Sequence, residues 1–409
     1  MDLTEHHDLR SNALPWDAHA DDLPPADALP VGMVDVAICG VGITGAMLAD
    51  RLSEQGLSVV LLDRRYPACG STSASTALVL WEADVPLSHL AERVGIERAV
   101  RCWRRVHRAV RTLADHALHL PRAHMKARQS LYLDGTLLDA GGLAREAALR
   151  VAHGFPSTFL SAEQVQQRFD IAPRPAIFSG DSYEVDPVGL THDLLDQARD
   201  RGASMCWPVD VQTVSSADTH IQLTTDRGVV EARHAVLATG YERARLFLPE
   251  AFRLRSSYAI ATAPGTAPLW RGPAMIWEAS SSYLYARTDA EGRMIAGGGD
   301  EDFHDPDHRD RLIPTKAAEI AANLSRLVGR PVEPRETWAA MFGSSPDGLP
   351  AIGPSAVFDR LWLASGFGGN GVTFAALAAE LLTASLTDLW GKDMDCFDPY
   401  RFGASRDAG

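Results

Sequence analysis

The chain has 409 residues, 46% of them hydrophobic, enough for two domains with cores of their own. Its net charge of −14, with no basic stripe, argues against a nucleic-acid binder. No apolar run approaches the ~20 residues of a membrane span. Five scattered cysteines (Cys39, Cys69, Cys102, Cys206, Cys396) form no C-x-x-C pair and suggest neither a disulfide framework nor a zinc site. A cytoplasmic protein without a metal is expected.

Residues 1–30 carry seven acids against Arg10, together with Pro15, Pro24, Pro25 and Pro30. This composition predicts an extended or partly ordered acidic arm over 1–29. The start lacks the basic and apolar segments of a secretory signal, and His6 and His7 read as part of a solvated tail.

The next stretch, VDVAICGVGITGAMLADRLSEQGLSVVLLD, reads as a dinucleotide-binding βαβ unit. Val34–Cys39 is an apolar buried strand; Gly40, Gly42 and Gly45 supply the G-x-G-x-x-G turn. A helix over about 44–55 aims its unpaired N–H groups, with Ile43 and Thr44 at its start, toward a phosphate. The strand 58–62 ends on Asp63, whose carboxylate suits ribose hydroxyls. GSTSASTAL follows, with Ser71 and Thr72 opening a second helix start; an ordinary helix cap is the competing reading. Arginines at 98, 101, 104, 105, 108 and 111 cluster on the second of two amphipathic helical runs in 86–119 and most simply form a solvated face.

Beyond residue 200, segments 209–214, 221–224 and 229–232 predict a β-meander. It leads into an apolar strand over 235–238 that stops at Thr239-Gly240. Residues 252–299 alternate as an antiparallel sheet does. Within it Tyr283, Tyr285 and Arg287 fall at i, i+2 and i+4 and leave one face. That face suits a carboxylate held by arginine between rings; a structural arginine paired with Asp289 or Asp300 is the alternative. Near the end, strand 361–364 runs into GFGGNG and an apolar helix over 372–386. A nicotinamide enzyme has no evident use for this second glycine-rich helix start, whereas it suits the ring of a flavin, where negative charge develops on reduction. FAD is therefore the expected cofactor.

The ordered motifs GVGITG, Asp63, GSTSAST, YEVDPVGLT, VLATG, SYLYART with GRMIAGGGDED, and PDGLPAIGP with GFGGNG resemble the D-amino-acid oxidase superfamily of FAD-dependent oxidoreductases, which contains the glycine and sarcosine oxidases. The leader DLRSNALPW looks like that of a bacterial subgroup. The resemblance covers about residues 30–402. It implies an α/β Rossmann-type FAD domain (30–90, 160–250, 340–402) with a parallel sheet and β-meander. This is interleaved with an α+β substrate domain on an antiparallel sheet (91–159, 251–339). It implies hydride transfer from an amine-bearing carbon, followed by imine hydrolysis. The acceptor would be O2 or quinone and the substrate a small molecule. Oxidation of a hydroxy acid or polyol phosphate, and a flavin-carrying docking protein using the acidic arm, are the other readings.

By the same resemblance Gly40, Gly42, Ile43, Thr44 and Gly45 hold the pyrophosphate and Asp63 the ribose. Ser71 and Thr72 meet phosphate or ribityl. The Val211 backbone, Thr239 and Gly240 flank the adenosine half. Gly368, Gly369, Asn370, Gly371, Val372 and Thr373 hold the ring. Independently of the resemblance, Arg64 and Arg65 could accept an NADP 2′-phosphate, but Asp63 would repel it, so the pair reads as surface residues touching the adenosine. Trp277, Glu278, Trp81, Glu82, Trp338 and Phe342 are wall candidates. Two departures stand out: Gly343-Ser344-Ser345 and Gly366–Gly371 hold no basic residue where relatives grip a carboxylate. Serines 344 and 345 also stand where the sarcosine-oxidase branch attaches flavin to cysteine, so dissociable FAD is expected.

Overall fold

The computed structural model describes residues 7–16, 25–242, 247–387 and 393–403. Two sheets organise them. The smaller has the strand order Ala351–Pro354, Leu361–Ser365, Gly228–Leu237, Val34–Cys39, Val59–Leu62 and Ser204–Cys206, the last five parallel. These inner strands are apolar nearly throughout because helices cover them. Helices Ile43–Glu54, Pro187–Asp200 and Gly371–Leu386 contribute to a single core with them. Strand Gly228–Leu237 joins two ladders. Its first half pairs antiparallel with Ile221–Thr225, and its second half runs parallel to Val34–Cys39 and Leu361–Ser365. The expected break at Arg233-His234 is absent, since a ladder of backbone bonds continues past two polar side chains.

The larger sheet has ten strands, all pairings antiparallel except that of Met275–Glu278 with Lys126–Leu133. Its centre runs Glu336–Ser344, Arg253–Ala261, Met294–Glu301, Leu284–Thr288, Met275–Glu278, Lys126–Leu133, Ala176–Glu184. Helix Pro306–Val328 buries Ile313, Ile320 and Leu324 in the core on one side.

Several segments lie on the other side of the expected division, among them strand Leu78–Val79 and helix Ala162–Phe169, which join the larger sheet and its core respectively. Strand Ala176–Glu184, within 160–250, belongs to the larger sheet. Helix Ile96–Ala117, within 91–159, buries Val100, Trp103, Val106 and Val110 in the core of the smaller one. Its arginines stay on the outer face: Arg101 pairs with Asp393 and Asp395, and Arg105 with Glu380.

The leader is not a free arm in its described part. Arg10–Ser11 pairs antiparallel with Ala339–Ala340, and Leu9, Leu14 and Trp16 are buried. Arg309 binds the Asp8 carbonyl at 2.7 Å and Ser11 Oγ at 2.7 Å. The apolar residues among the acids supply the reason: burying two leucines and a tryptophan outweighs the ordering cost of a short segment. The remainder of the expected arm, 1–6 and 17–24, falls outside the described residues. Among the described residues no helix is long and apolar enough to cross a membrane.

Candidate functional site

A cleft of about 1080 Å³ opens where the parallel strands end, at Cys39-Gly40, Leu62-Asp63, Ala238–Glu242 and Ala364–Phe367. Carboxyl ends of parallel strands are where open α/β sheets hold ligands. The glycine turn is held tightly. Gly40 has φ +118°, and a Cβ there would sit 2.3 Å from the Ala238 carbonyl oxygen; one on Gly45 would sit 1.9 Å from that of Gly40. No side chain fits at either place. Gly45 thus serves helix-on-strand packing and does not line the cleft, while Gly40, Gly42, Ile43 and Thr44 do.

Thr72 Oγ1 accepts the Ile43 N–H at 3.0 Å, so the two helix starts are tied to one another. Asp63 accepts N–H bonds from Val41 (2.8 Å) and Arg65 (2.9 Å), which fixes its carboxylate on the cleft wall. Burial pushes this carboxyl above its ordinary range, against the pull of the two N–H groups. Arg64 and Arg65 both pair with Glu242, which binds Arg65 at 2.7 and 2.9 Å and also accepts the His7 N–H. Burial raises the Glu242 carboxyl, but the Arg65 hydrogen bonds and both guanidinium charges bring it below the usual range.

The rest of the wall comes from Ser71, Thr72, Val211, Thr239, Gly240, Gly371 and Val372, with Leu9 of the leader closing one side. Ser71 Oγ and Thr239 Oγ1 are buried without a partner. Two orphaned hydroxyls, a glycine turn with no room for Cβ and a helix N-terminus fit a bound pyrophosphate nucleotide.

A second cavity of about 930 Å³ meets the first at Ser71, Ser75, Tyr241 and Gly371. One row of the larger sheet runs beside it: Tyr132, Trp277, Tyr285, Gly297, Ala259 and Trp338 are successive cross-strand partners, and Trp277 and Tyr285 of that row line the cavity. Trp277 stacks on Tyr132 with centroids 3.9 Å apart. The Tyr285 ring leans over Gly297, where a Cβ would lie 2.1 Å from the hydroxyl. Its hydroxyl bonds Thr76 and Ser257, and burial with the nearby Asp300 raises it to about 12. Tyr283 packs beside it (5.7 Å), held well above its ordinary range by burial, Asp300 and Asp84. Tyr241 is seated in the same way over Gly343.

Gly368, Gly369 and Asn370 form the opposite wall with Asp84. Asp84 accepts the Gly369 N–H at 3.1 Å and the Asn370 side-chain N–H at 2.7 Å. Burial raises its carboxyl to about 6, Gly369 and Asn370 opposing and Asp300 assisting.

Several expected site residues lie elsewhere. Arg287 shares the tyrosines' face, but two residues further along the strand it has passed the cavity. It is buried, and it donates to the carbonyls of Thr76, Thr288 and Val185 with its charge over Trp16. It is structural, held by carbonyls rather than by an acid. Thr373 donates to Leu80 O at 2.8 Å and anchors the last helix. Trp81 stacks on Phe155 and binds Gly180 O; Glu82 sits in a buried cluster with Arg150, Glu146 and Ser130. Glu278 pairs with Arg174, and Trp338 donates to Ala74 O at 2.9 Å. Only Trp277 and Phe342 of the wall candidates line the cavity. The sequence pattern does not mark Asp84, Glu242, Tyr241, Ser257 or Gly297 as site residues. Asp84 alone has a local signal, standing with Glu82 in an otherwise apolar run just before Pro86.

Residues 35–385 match the family model described as FAD dependent oxidoreductase, DAO. The bifunctional protein MnmC of Azoarcus sp. (strain BH72), named for tRNA 5-methylaminomethyl-2-thiouridine biosynthesis, is 27% identical over 89% of this chain. The chain spans 59% of that relative's length. Glycine oxidase of Pseudomonas aeruginosa is 25% identical over 40% of this chain and 44% of its own. Among solved structures, glycine oxidase from Geobacillus kaustophilus superposes with a TM-score of 0.74 at 19% identity, covering 93% of this chain and 100% of its own. L-proline dehydrogenase from P. horikoshii also gives 0.74 at 19%, covering 91% and 98%. At that identity the likeness is one of fold.

Proposed function

Because the chain belongs to the DAO family of FAD-dependent oxidoreductases, we propose that it oxidises an amine at the carbon bearing the nitrogen. FAD, when bound, supplies the acceptor for the hydride, and the imine left behind hydrolyses in water. The residues of this chain bind and orient. Gly40, Gly42, Ile43 and Thr44 receive the pyrophosphate, and Asp63 the ribose, with the Glu242-paired Arg64 beside it. Val211, Thr239 and Gly240 take the adenosine half, and Ser71 and Thr72 the join. Gly368–Val372 bring the last helix start to the ring, with Thr373 anchoring that helix from behind. Trp277, Tyr283, Tyr285 and Phe342 exclude water from the second cavity.

The observation that carries this reading is the lining of the second cavity: aromatic walls and, among the described residues, a single charged side chain, the carboxylate of Asp84. A polyol phosphate would need cations there. The arginine-rich helix supplies none, since Arg101 and Arg105 pair on the outer face. The likeness to MnmC proteins supports a second reading, an amine carried on a tRNA uridine. The net charge of −14 favours a small-molecule substrate. Five cysteines, none of them in a disulfide, are in keeping with a cytoplasmic setting.

Anaerobic mixing of the purified yellow protein with a panel of primary and secondary amines tests the proposal. At least one is expected to bleach the flavin band; a panel that leaves it intact while dithionite bleaches it removes the amine reading. Bleaching only by modified tRNA would establish the second.

A further inference from the structure

The second cavity carries its charge in an unusual way. Asp84 reaches the wall from the loop after the short strand Leu78–Val79 and is fixed by the Gly369 N–H and the Asn370 side chain. Both donors are neutral. Among the described residues lining the cavity there is no arginine, lysine or histidine. Arg255 packs its guanidinium 6.0 Å from the Phe342 ring centroid but is not itself part of the lining. The other ionisable groups around Asp84 are Tyr283, Tyr285, Tyr241, Tyr132 and, behind Ser257, Asp300. Asp300 is bonded by Ser257 and has Arg255 and Lys316 near enough to draw its carboxyl down against burial, so it is not bare of cations as Asp84 is. The charge in the cavity lining is that of Asp84, and a buried carboxylate without a counter-ion is costly until a cation arrives.

A second, independent feature points to a ligand. The Trp277 side chain belongs to the wall, is 6% exposed and has an indole N–H with no acceptor. Beside it the rings of Tyr283, Tyr285 and Phe342 present apolar surface. Glycines at 368 and 369 keep the carboxylate reachable: a Cβ at 368 would lie 2.8 Å from Asp84 Oδ2, and one at 369 would lie 3.2 Å from the Tyr283 hydroxyl.

Resting on the amine reading above and narrowing it, we propose that this cavity takes an arylalkyl amine as its cation, with Asp84 as counter-ion, and rejects the same amine bearing a carboxylate on the carbon next to nitrogen. An ammonium against Asp84 forms a charge-assisted hydrogen bond, while the aryl group stacks within the aromatic walls. A carboxylate placed there would meet Asp84 with no cation among the described lining residues to hold it. Asp84 is thus a specificity residue. Its carboxyl, raised by burial, is ionised above about pH 6, so the counter-ion is present at neutral pH.

The test uses the FAD-loaded full chain with air excluded and probes of one skeleton. These are phenethylamine and N-methylphenethylamine, their α-carboxylated counterparts phenylalanine and N-methylphenylalanine in both enantiomers, and neutral 2-phenylethanol. Binding is read from the perturbed flavin spectrum and from the ligand-induced rise in Tm; reduction is read separately. The amines are expected to bind at least about 10-fold tighter than their carboxylated counterparts, a ratio worth about 1.4 kcal/mol. Asp84→Asn should weaken the amines at least about 10-fold and leave 2-phenylethanol within about twofold. Equal or tighter binding of the amino acids, or loss of amine and alcohol alike in Asp84→Asn, overturns the proposal. So does tight amino-acid binding that Arg255→Gln abolishes. Should Asp84→Asn not fold, the wild-type comparison decides alone. Amines that bind preferentially without reducing flavin would sink the amine-oxidation reading but not this one; amino acids that win and are oxidised would do the reverse.

Discussion

Substituting Gly297 by alanine is expected to drive the Tyr285 ring off its seat. The new Cβ would lie 2.1 Å from the tyrosine hydroxyl and 2.3 Å from Cζ, more than an ångström inside ordinary contact. The backbone there is a ladder position opposite Tyr285, so it is the ring that must yield. In moving, the hydroxyl leaves Thr76 and Ser257. Two hydrogen bonds at about 0.5–1.5 kcal/mol each, with an overpacking cost of about 1–3 kcal/mol, give a loss of about 2–6 kcal/mol. At an unfolding entropy of about 2.1 cal/mol/K per residue, this lowers Tm by about 2–7 °C. The assay is thermal unfolding of the FAD-loaded protein for Gly297→Ala, Tyr285→Ala and the double variant. Once the ring is gone the alanine has nothing to strike, so Gly297→Ala should cost less than about 1 kcal/mol in the Tyr285→Ala background, giving a coupling of about 2 kcal/mol. Additive effects of the two substitutions would refute the reasoning.

Other consequences follow from the same geometry. Removing residues 1–16 takes Leu9 from the wall of the first cavity and frees Glu242 and Arg65 from the His7 backbone; stopped-flow release should show FAD leaving at least about 10-fold faster, and an unchanged rate would show that the leader does not retain it. Glu242→Gln leaves Arg64 and Arg65 without their shared acid and is expected to cost about 3–5 kcal/mol at pH 7. Because the Glu242 carboxyl is held below its ordinary value of 4.5, its stabilisation is complete above that pH and is lost as pH falls through the lowered value. The Tm gap between wild type and variant should therefore close in acid; a gap constant down to pH 2 contradicts the pairing. Asp84 has the opposite sign. With its carboxyl raised from 3.8 to about 6, the folded state binds the proton more readily than the unfolded chain, so this stability is present below about pH 4 and is lost as pH rises through 6. Asp84→Asn should gain in relative Tm across that window, while phenethylamine binding to the wild type should strengthen as pH rises through 6. Acid precipitation should leave the yellow colour in the supernatant, since none of the described residues lining the second cavity is a cysteine; colour retained on the polypeptide would show a covalent flavin.

The nucleotide half of the site was legible in the residue order because its chemistry is local. Gly40, Gly42 and Gly45 act within one turn on backbone a few residues away, and Asp63 closes the next strand. Local spacing therefore already states the geometry. Strand alternation likewise put Tyr283 and Tyr285 on one face. It also put Arg287 there, and could not tell that the cavity ends before it or that the carbonyls of Thr76 and Val185 occupy its donors. Asp84 and Glu242 were hidden for a related reason. Each owes its role to partners 285 and 177 positions away, at Gly369 and Arg65, which no local spacing encodes.

Composition and motif order by themselves determined the fold family, the parallel and antiparallel sheets and the dinucleotide turn, since these rest on burial periodicity and on contacts within a few residues. The tertiary structure alone decided which side chains share the second cavity, that its charge is negative, and that the leader packs against the first. Those outcomes depend on cross-strand register and on burial of groups distant in the chain, and the free energy of a buried charge is set by surroundings that no stretch of sequence contains.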